Sequence, residues 1–185
     1  MSIVALGGAG GTLQHEFFHL TVRSTFGDIP QWLDEGLASL YEVSRMTPDT
    51  TVEVAAGQTR PSRFVGLPNW RGRILSELQS ERSPLEQMIT SNWFAFEQPG
   101  NHDPDAPDAR HMAVTLAEAR YFTLYLQDRG MLKPLYERLR SQVPDAKRDA
   151  GKGALAAVAD VTQEPLDRLD HDFIAWFNKL PKQPQ

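Results

Sequence analysis

Two histidines one helical turn apart, His15 and His19, and a carboxylate on the next helical segment, Glu35, restrict this chain more than any other feature of its sequence. Positions i and i+4 of an α-helix share a face, so both imidazoles project from one side. For Glu35 to join them the chain must reverse, and Asp28, Ile29 and Pro30 supply the turn. Two helices lying side by side are therefore required at the start of the fold. Thr12 can cap the first, which carries Leu13, Phe17 and Leu20 and stops near Gly27. Pro30 is placed to start the second, which runs through Trp32, Leu33, Leu37, Leu40 and Tyr41 and ends before Pro48. Trp32, Phe17 and Phe18 fit the buried faces of these helices and are expected in the core.

The same residues suggest chemistry. Two imidazoles at i and i+4 can chelate one ion, and the spacing suits zinc. Glu16, beside that face, stands where a carboxylate can take a proton from water rather than bind the ion. With Glu35 the ligand set is two His and one Glu, which leaves one position of a tetrahedral ion open, as in catalytic zinc sites. Structural zinc prefers four protein ligands, usually with Cys, and this chain has no cysteine. Glu42, two turns beyond Glu35 on the same face, is placed either to orient a ligand imidazole or to sit as a solvated charge.

His15-Glu16-Phe17-Phe18-His19 followed by Trp32-Leu33-Asp34-Glu35-Gly36-Leu37-Ala38 resembles the HExxH and W-L-x-E-G-x-A pair of the glutamate-zincin (gluzincin) metallopeptidases, especially small bacterial peptidase MA-like members. The likeness is close from Thr12 to Glu42, and Ala117–Gly130 and Leu169–Phe177 look like later helices of that group. It implies a zincin-like helical domain with a small or truncated sheet. It also implies one Zn2+ held by His15, His19 and Glu35, with Glu16 as general base in peptide-bond hydrolysis. The G-x-M-E-N segment that grips a substrate amine in the related aminopeptidases is absent, so exopeptidase action is not implied. Peptide hydrolysis further needs a donor to the developing oxyanion, and His111, Arg120 and Tyr121, on the long helix after the acidic loop, are the candidates.

The rest of the chain reads as mostly α, α+β at most. Thr50–Val54 and Arg63–Val65, either side of Gly57–Pro61, are expected to pair as a short hairpin. Trp70–Gln79 is predicted helical, and Ser83-Pro84-Leu85-Glu86 reads as a capping box with Pro at the first helical position. Glu97–Asp108 is predicted to be a surface loop that can reach over a site. Ala109–Arg129, closed by Gly130, is predicted to be the longest helix, followed by helices over Leu132–Gln142, Ala154–Asp160 and Pro165–Leu180. No repeat or composition shift divides the 185 residues, so one domain over 1–185 is expected, with the alternative that it is a fragment of a longer chain.

A net charge of −5 gives no general attraction to nucleic acid or anionic lipid. No run approaches the ~18 apolar residues of a transmembrane helix. Arg60, Arg63, Arg71 and Arg73 form a local basic cluster, able to hold a substrate carboxylate but read more simply as a solvated patch. Asp103, Asp105 and Asp108 lack the glycine and terminal Glu of a calcium loop, Gly7–Gly11 reads as a hinge and not a phosphate loop, and His102 and His171 look incidental. The expected partner is a peptide or protein substrate. Two alternatives remain at this stage: a zinc-stabilised interaction domain without catalysis, and hydrolysis of a non-peptide amide. Because almost nothing precedes His15, any export signal is expected upstream, and compartment and oligomeric state are left open.

Overall fold

The computed structural model describes residues 13–26, 28–50, 52–91, 107–142 and 150–181. Among these the chain forms eight α-helices and one two-stranded antiparallel sheet. In chain order they are α1 (Leu13–Phe26), α2 (Gln31–Glu42), β1 (Ser44–Pro48), β2 (Ser62–Gly66), α3 (Arg71–Glu77), α4 (Leu85–Thr90), α5 (Pro107–Asp128), α6 (Leu132–Arg140), α7 (Ala150–Thr162) and α8 (Leu166–Phe177), with a 3-10 turn at Gln79–Glu81. The mostly helical expectation is met. No helix among the described residues is long and apolar enough to cross a membrane.

α5 is the axis of the core. From Val114 to Leu126 its residues are buried all round, apart from the half-buried Leu116, because α2, α3, α6 and α8 pack on different sides of it. Aromatic rings bind these layers together, with Trp32 against Phe122, Phe122 against Phe173, and Phe173 beside Tyr125 and Trp176. α5 stops at Gly130, whose φ of +71° is readily adopted only without a Cβ. The N–H groups of Gly130 and Met131 return to the carbonyls of Gln127 and Leu126, closing the last turn as expected. Arg82 bridges the fully buried Glu118 and the partly exposed Asp170.

α2 is the second buried helix, wedged between α1 and α5. Gly36 permits this, since a Cβ there would lie 2.2 Å from Thr123 Oγ1 and 2.8 Å from the carbonyl oxygen of Ala119. The α1 face against α2 carries His15, His19 and Val22, with Phe18 and Phe26 half-buried beside them. Phe17, expected in the core with Phe18 and Trp32, is instead 66% exposed. At about 100° per residue it lies about 200° round the helix from His15, so a helix that turns its histidines inward turns Phe17, Leu13 and Leu20 outward.

Three other expectations change. The hairpin pairs Ser44–Pro48 with Ser62–Gly66, in a register that sets Met46 opposite Phe64, not Thr50–Val54 with Arg63–Val65. β1 begins almost directly after α2, and the expected first strand lies in the connection instead, where Arg60 holds the carbonyls of Asp49 and Val52. At α4 no side chain caps the helix, and Pro84 stands at the N-cap and not at the first helical position, its carbonyl receiving the Gln87 and Met88 N–H groups. Pro30 and Pro165 hold the same place before α2 and α8, where a missing N–H removes no helix bond. The predicted 154–160 helix extends over Ala150–Thr162. The Gly7–Gly11 hinge, the Thr12 cap, and residues 97–106 of the expected Glu97–Asp108 loop, with His102, Asp103 and Asp105, lie outside the described residues, while Pro107 and Asp108 belong to α5 and not to a loop.

Candidate metal centre

α1 and α2 bring His15, His19 and Glu35 together, each offering a ligand atom within 4.8 Å of the others. His15 and His19 are each 7% exposed, their rings 4.7 Å apart and nearly perpendicular. Their Nε2 atoms approach opposite oxygens of one carboxylate, His15 Nε2 at 3.5 Å from Glu35 Oε2 and His19 Nε2 at 3.5 Å from Glu35 Oε1.

These separations are long for hydrogen bonds, which put N and O ~2.7–3.2 Å apart. They are close to the ~3.4 Å that two donors adopt when each sits ~2.1 Å from a tetrahedral zinc. The residues therefore fit an ion: two buried imidazoles and a carboxylate each bring a ligand atom within 4.8 Å of the others, without thiolates. Three ligands leave a tetrahedral ion one position short of closure.

The other ring nitrogens face acidic groups too. His19 Nδ1 is 2.9 Å from Asp34 Oδ1, and the second oxygen of Asp34 accepts from Arg23 Nε at 3.0 Å. His15 Nδ1 is 4.0 Å from Glu42 Oε2, which Arg71 NH1 approaches to 2.8 Å. Burial on its own would lower the pKa of His19, but the hydrogen bond and charge of Asp34, then the charge of Glu35, outweigh it and raise the value above the ordinary 6.5. With both imidazoles neutral, Asp34, Glu35 and Glu42 against Arg23 and Arg71 leave one net negative charge to receive a cation.

Glu42 thus lies near an imidazole, braced by an arginine and not solvated. Arg71 leaves the basic cluster for this contact and also stacks over Trp70, while Arg73 sits on the surface near Glu77. Asp34 is a residue of the centre that the motif spacing does not single out. Its signal was a second acidic residue inside an otherwise apolar Trp-Leu-x-Glu-Gly stretch, and it is 1% exposed. Arg23, four residues after His19, was equally readable as its partner.

Glu16 is exposed on the flank of α1, about 100° round from His15. The expected oxyanion donors are scattered along α5. His111 is exposed, whereas Arg120 and Tyr121 are buried beneath the segment that links β2 to α3. Arg120 donates to the carbonyl of Leu67 and to Ser39 Oγ, and burial lowers its pKa to about 10. The Tyr121 hydroxyl donates to the carbonyl of Asn69 at 2.9 Å and accepts the Asn69 N–H at 3.1 Å. Comparison with protein-family models, curated proteins and solved structures finds no match to this chain.

Proposed function

We propose that the chain is a zinc metallopeptidase acting as a single domain of the zincin type, with His15, His19 and Glu35 holding one Zn2+ and Glu16 serving as general base in peptide-bond hydrolysis. The observation that carries this reading is the pair of 3.5 Å approaches of the two Nε2 atoms to the two oxygens of Glu35, a spacing suited to an ion between them. The likeness of His15–His19 and Trp32–Ala38 to the glutamate-zincin motif pair supports the reaction class. A zinc ion bound there supplies Lewis acidity, polarising a carbonyl and acidifying water. The chain's own part falls to Glu16. Exposed at the edge of the ligand face, its carboxylate is free of the ligand set and accepts a proton from the attacking water, then returns it to the leaving amine.

A second reading, a zinc-stabilised interaction domain without catalysis, is favoured by one observation. Arg120 and Tyr121 are buried and donate to the carbonyls of Leu67 and Asn69, so His111 is the exposed one of the three expected oxyanion donors. Glu16→Gln separates the readings. Protein purified without added metal is expected to hold one zinc per chain, and the variant to keep it while peptide-library cleavage falls by ~10²- to 10⁴-fold. Equal cleavage by both proteins refutes the role of Glu16, and no cleavage by zinc-loaded wild type favours the non-catalytic reading.

A further inference from the structure

The Asp34–Arg23 pair has no part in ligation or in proton transfer, yet its carboxylate is more deeply buried than the ligands. Asp34 is 1% exposed, and its two oxygens are divided between His19 Nδ1 at 2.9 Å and Arg23 Nε at 3.0 Å. A carboxylate held this far from water is costly unless both oxygens are paired. Here the pairing links two positions of α1 one turn apart, His19 and Arg23, through a single residue of α2.

We propose that Asp34 is a positioning residue of the metal centre, an inference that rests on the metal reading above. An ionised carboxylate can only accept, so the charge of Asp34 Oδ1 at 2.9 Å favours the neutral imidazole that carries its proton on Nδ1. The lone pair is then left on Nε2, the nitrogen that faces Glu35. Arg23 fixes the other oxygen and so fixes the rotamer of Asp34, which in turn fixes the plane of the His19 ring. Glu42 and Arg71 repeat the arrangement at His15 with a looser contact of 4.0 Å, beyond hydrogen-bond reach, so their hold on the tautomer is weaker. The two imidazoles therefore give an internal comparison between a carboxylate in contact and one at a distance.

The test has one readout without metal and one with it. In metal-free protein in alkaline buffer, the imidazole nitrogen chemical shifts of ¹⁵N-labelled protein report which ring nitrogen carries the proton. His19 is expected in the Nδ1–H form in wild type and to move toward Nε2–H in Asp34→Ala. Asp34→Asn keeps the size of the side chain and a neutral acceptor, so it covers the case in which the alanine variant fails to fold, and it is expected to shift the tautomer partly. Zinc affinity, from competition with a chromophoric chelator, is expected to fall ~10- to 100-fold in Asp34→Ala, less in Asp34→Asn, and less again in Glu42→Gln.

An unchanged His19 tautomer in both Asp34 variants overturns the proposal, as does a changed tautomer with undiminished zinc affinity. Absence of zinc binding by wild type itself, with the tautomers behaving as expected, sinks the metal reading and leaves the orienting role of Asp34 in place.

Discussion

Replacing Gly36 with Ala tests whether α2 and α5 lie as close as the site requires. In an open helix this change is favourable by about 1 kcal/mol, because Ala loses less backbone freedom than Gly. In this protein the added methyl would sit 2.2 Å from Thr123 Oγ1 and 2.8 Å from the backbone oxygen of Ala119. The first contact is relieved only by turning the Thr123 hydroxyl away from that same oxygen, to which it donates at 2.8 Å, a loss of about 1 kcal/mol. The second is with backbone and needs the helices to separate, an overpacking penalty of about 1–3 kcal/mol. The opposing effects leave Gly36→Ala less stable by about 2–3 kcal/mol at the upper end of that penalty, or a fall of roughly 1 M in the urea midpoint with unchanged m. Adding Thr123→Ala removes the side-chain obstacle and not the backbone one, so the double variant is expected to recover part of the loss, with a coupling of about 1 kcal/mol. A Gly36→Ala protein as stable as wild type, or more stable, would refute the close approach of α2 to α5.

Other consequences follow from single contacts. His19→Ala and Glu35→Ala are each expected to abolish stoichiometric zinc in elemental analysis and to lower the melting temperature, since ligand binding is coupled to folding; full metal content at an unchanged melting point would show that the ligands are misassigned. Tyr121→Phe strips one hydroxyl from both the N–H and the carbonyl of Asn69 and is expected to cost about 1–3 kcal/mol in denaturant unfolding while leaving zinc content unaltered. Burial, working against the attraction of Arg82, pushes Glu118 from 4.5 to about 7. Between those values the folded state keeps a proton that the unfolded chain has released, so this contribution is full below pH 4.5 and is lost as pH rises through about 7. At about 1.4 kcal/mol per pH unit the loss is about 3 kcal/mol. Asp170, also raised by burial, and His19 act in the same direction, so the measurement is the difference between wild type and Glu118→Gln across that range, and parallel curves would contradict it.

What the sequence determined by itself is what depends on neighbours along the chain. His15 and His19 share a face because a helix repeats every ~3.6 residues. The reversal at Asp28–Pro30 lets a second helix return along the first, and Gly130 ends α5 because it tolerates positive φ. The three candidate ligands were legible for that reason, since a helix period and one turn suffice to bring them together.

Tertiary structure decided everything that depends on which surfaces meet. Phe17 and His15 are both plausible inward residues of α1, and only the docking of α2 selects the histidine face. Strand position is likewise a property of the pair, so the partner of the strand containing Arg63–Val65 settled on Ser44–Pro48, directly after α2, and not on Thr50–Val54. Arg120 and Tyr121 read as polar donors along α5, but the segment from Leu67 to Asn69 lies over them and takes those donors for its own backbone. Asp34 stands out in the sequence only as an acidic residue in an apolar stretch, and its role depends on His19 and Arg23, which are on another helix. A carboxylate acquires such a function only when packing removes water from it and leaves those two groups within reach.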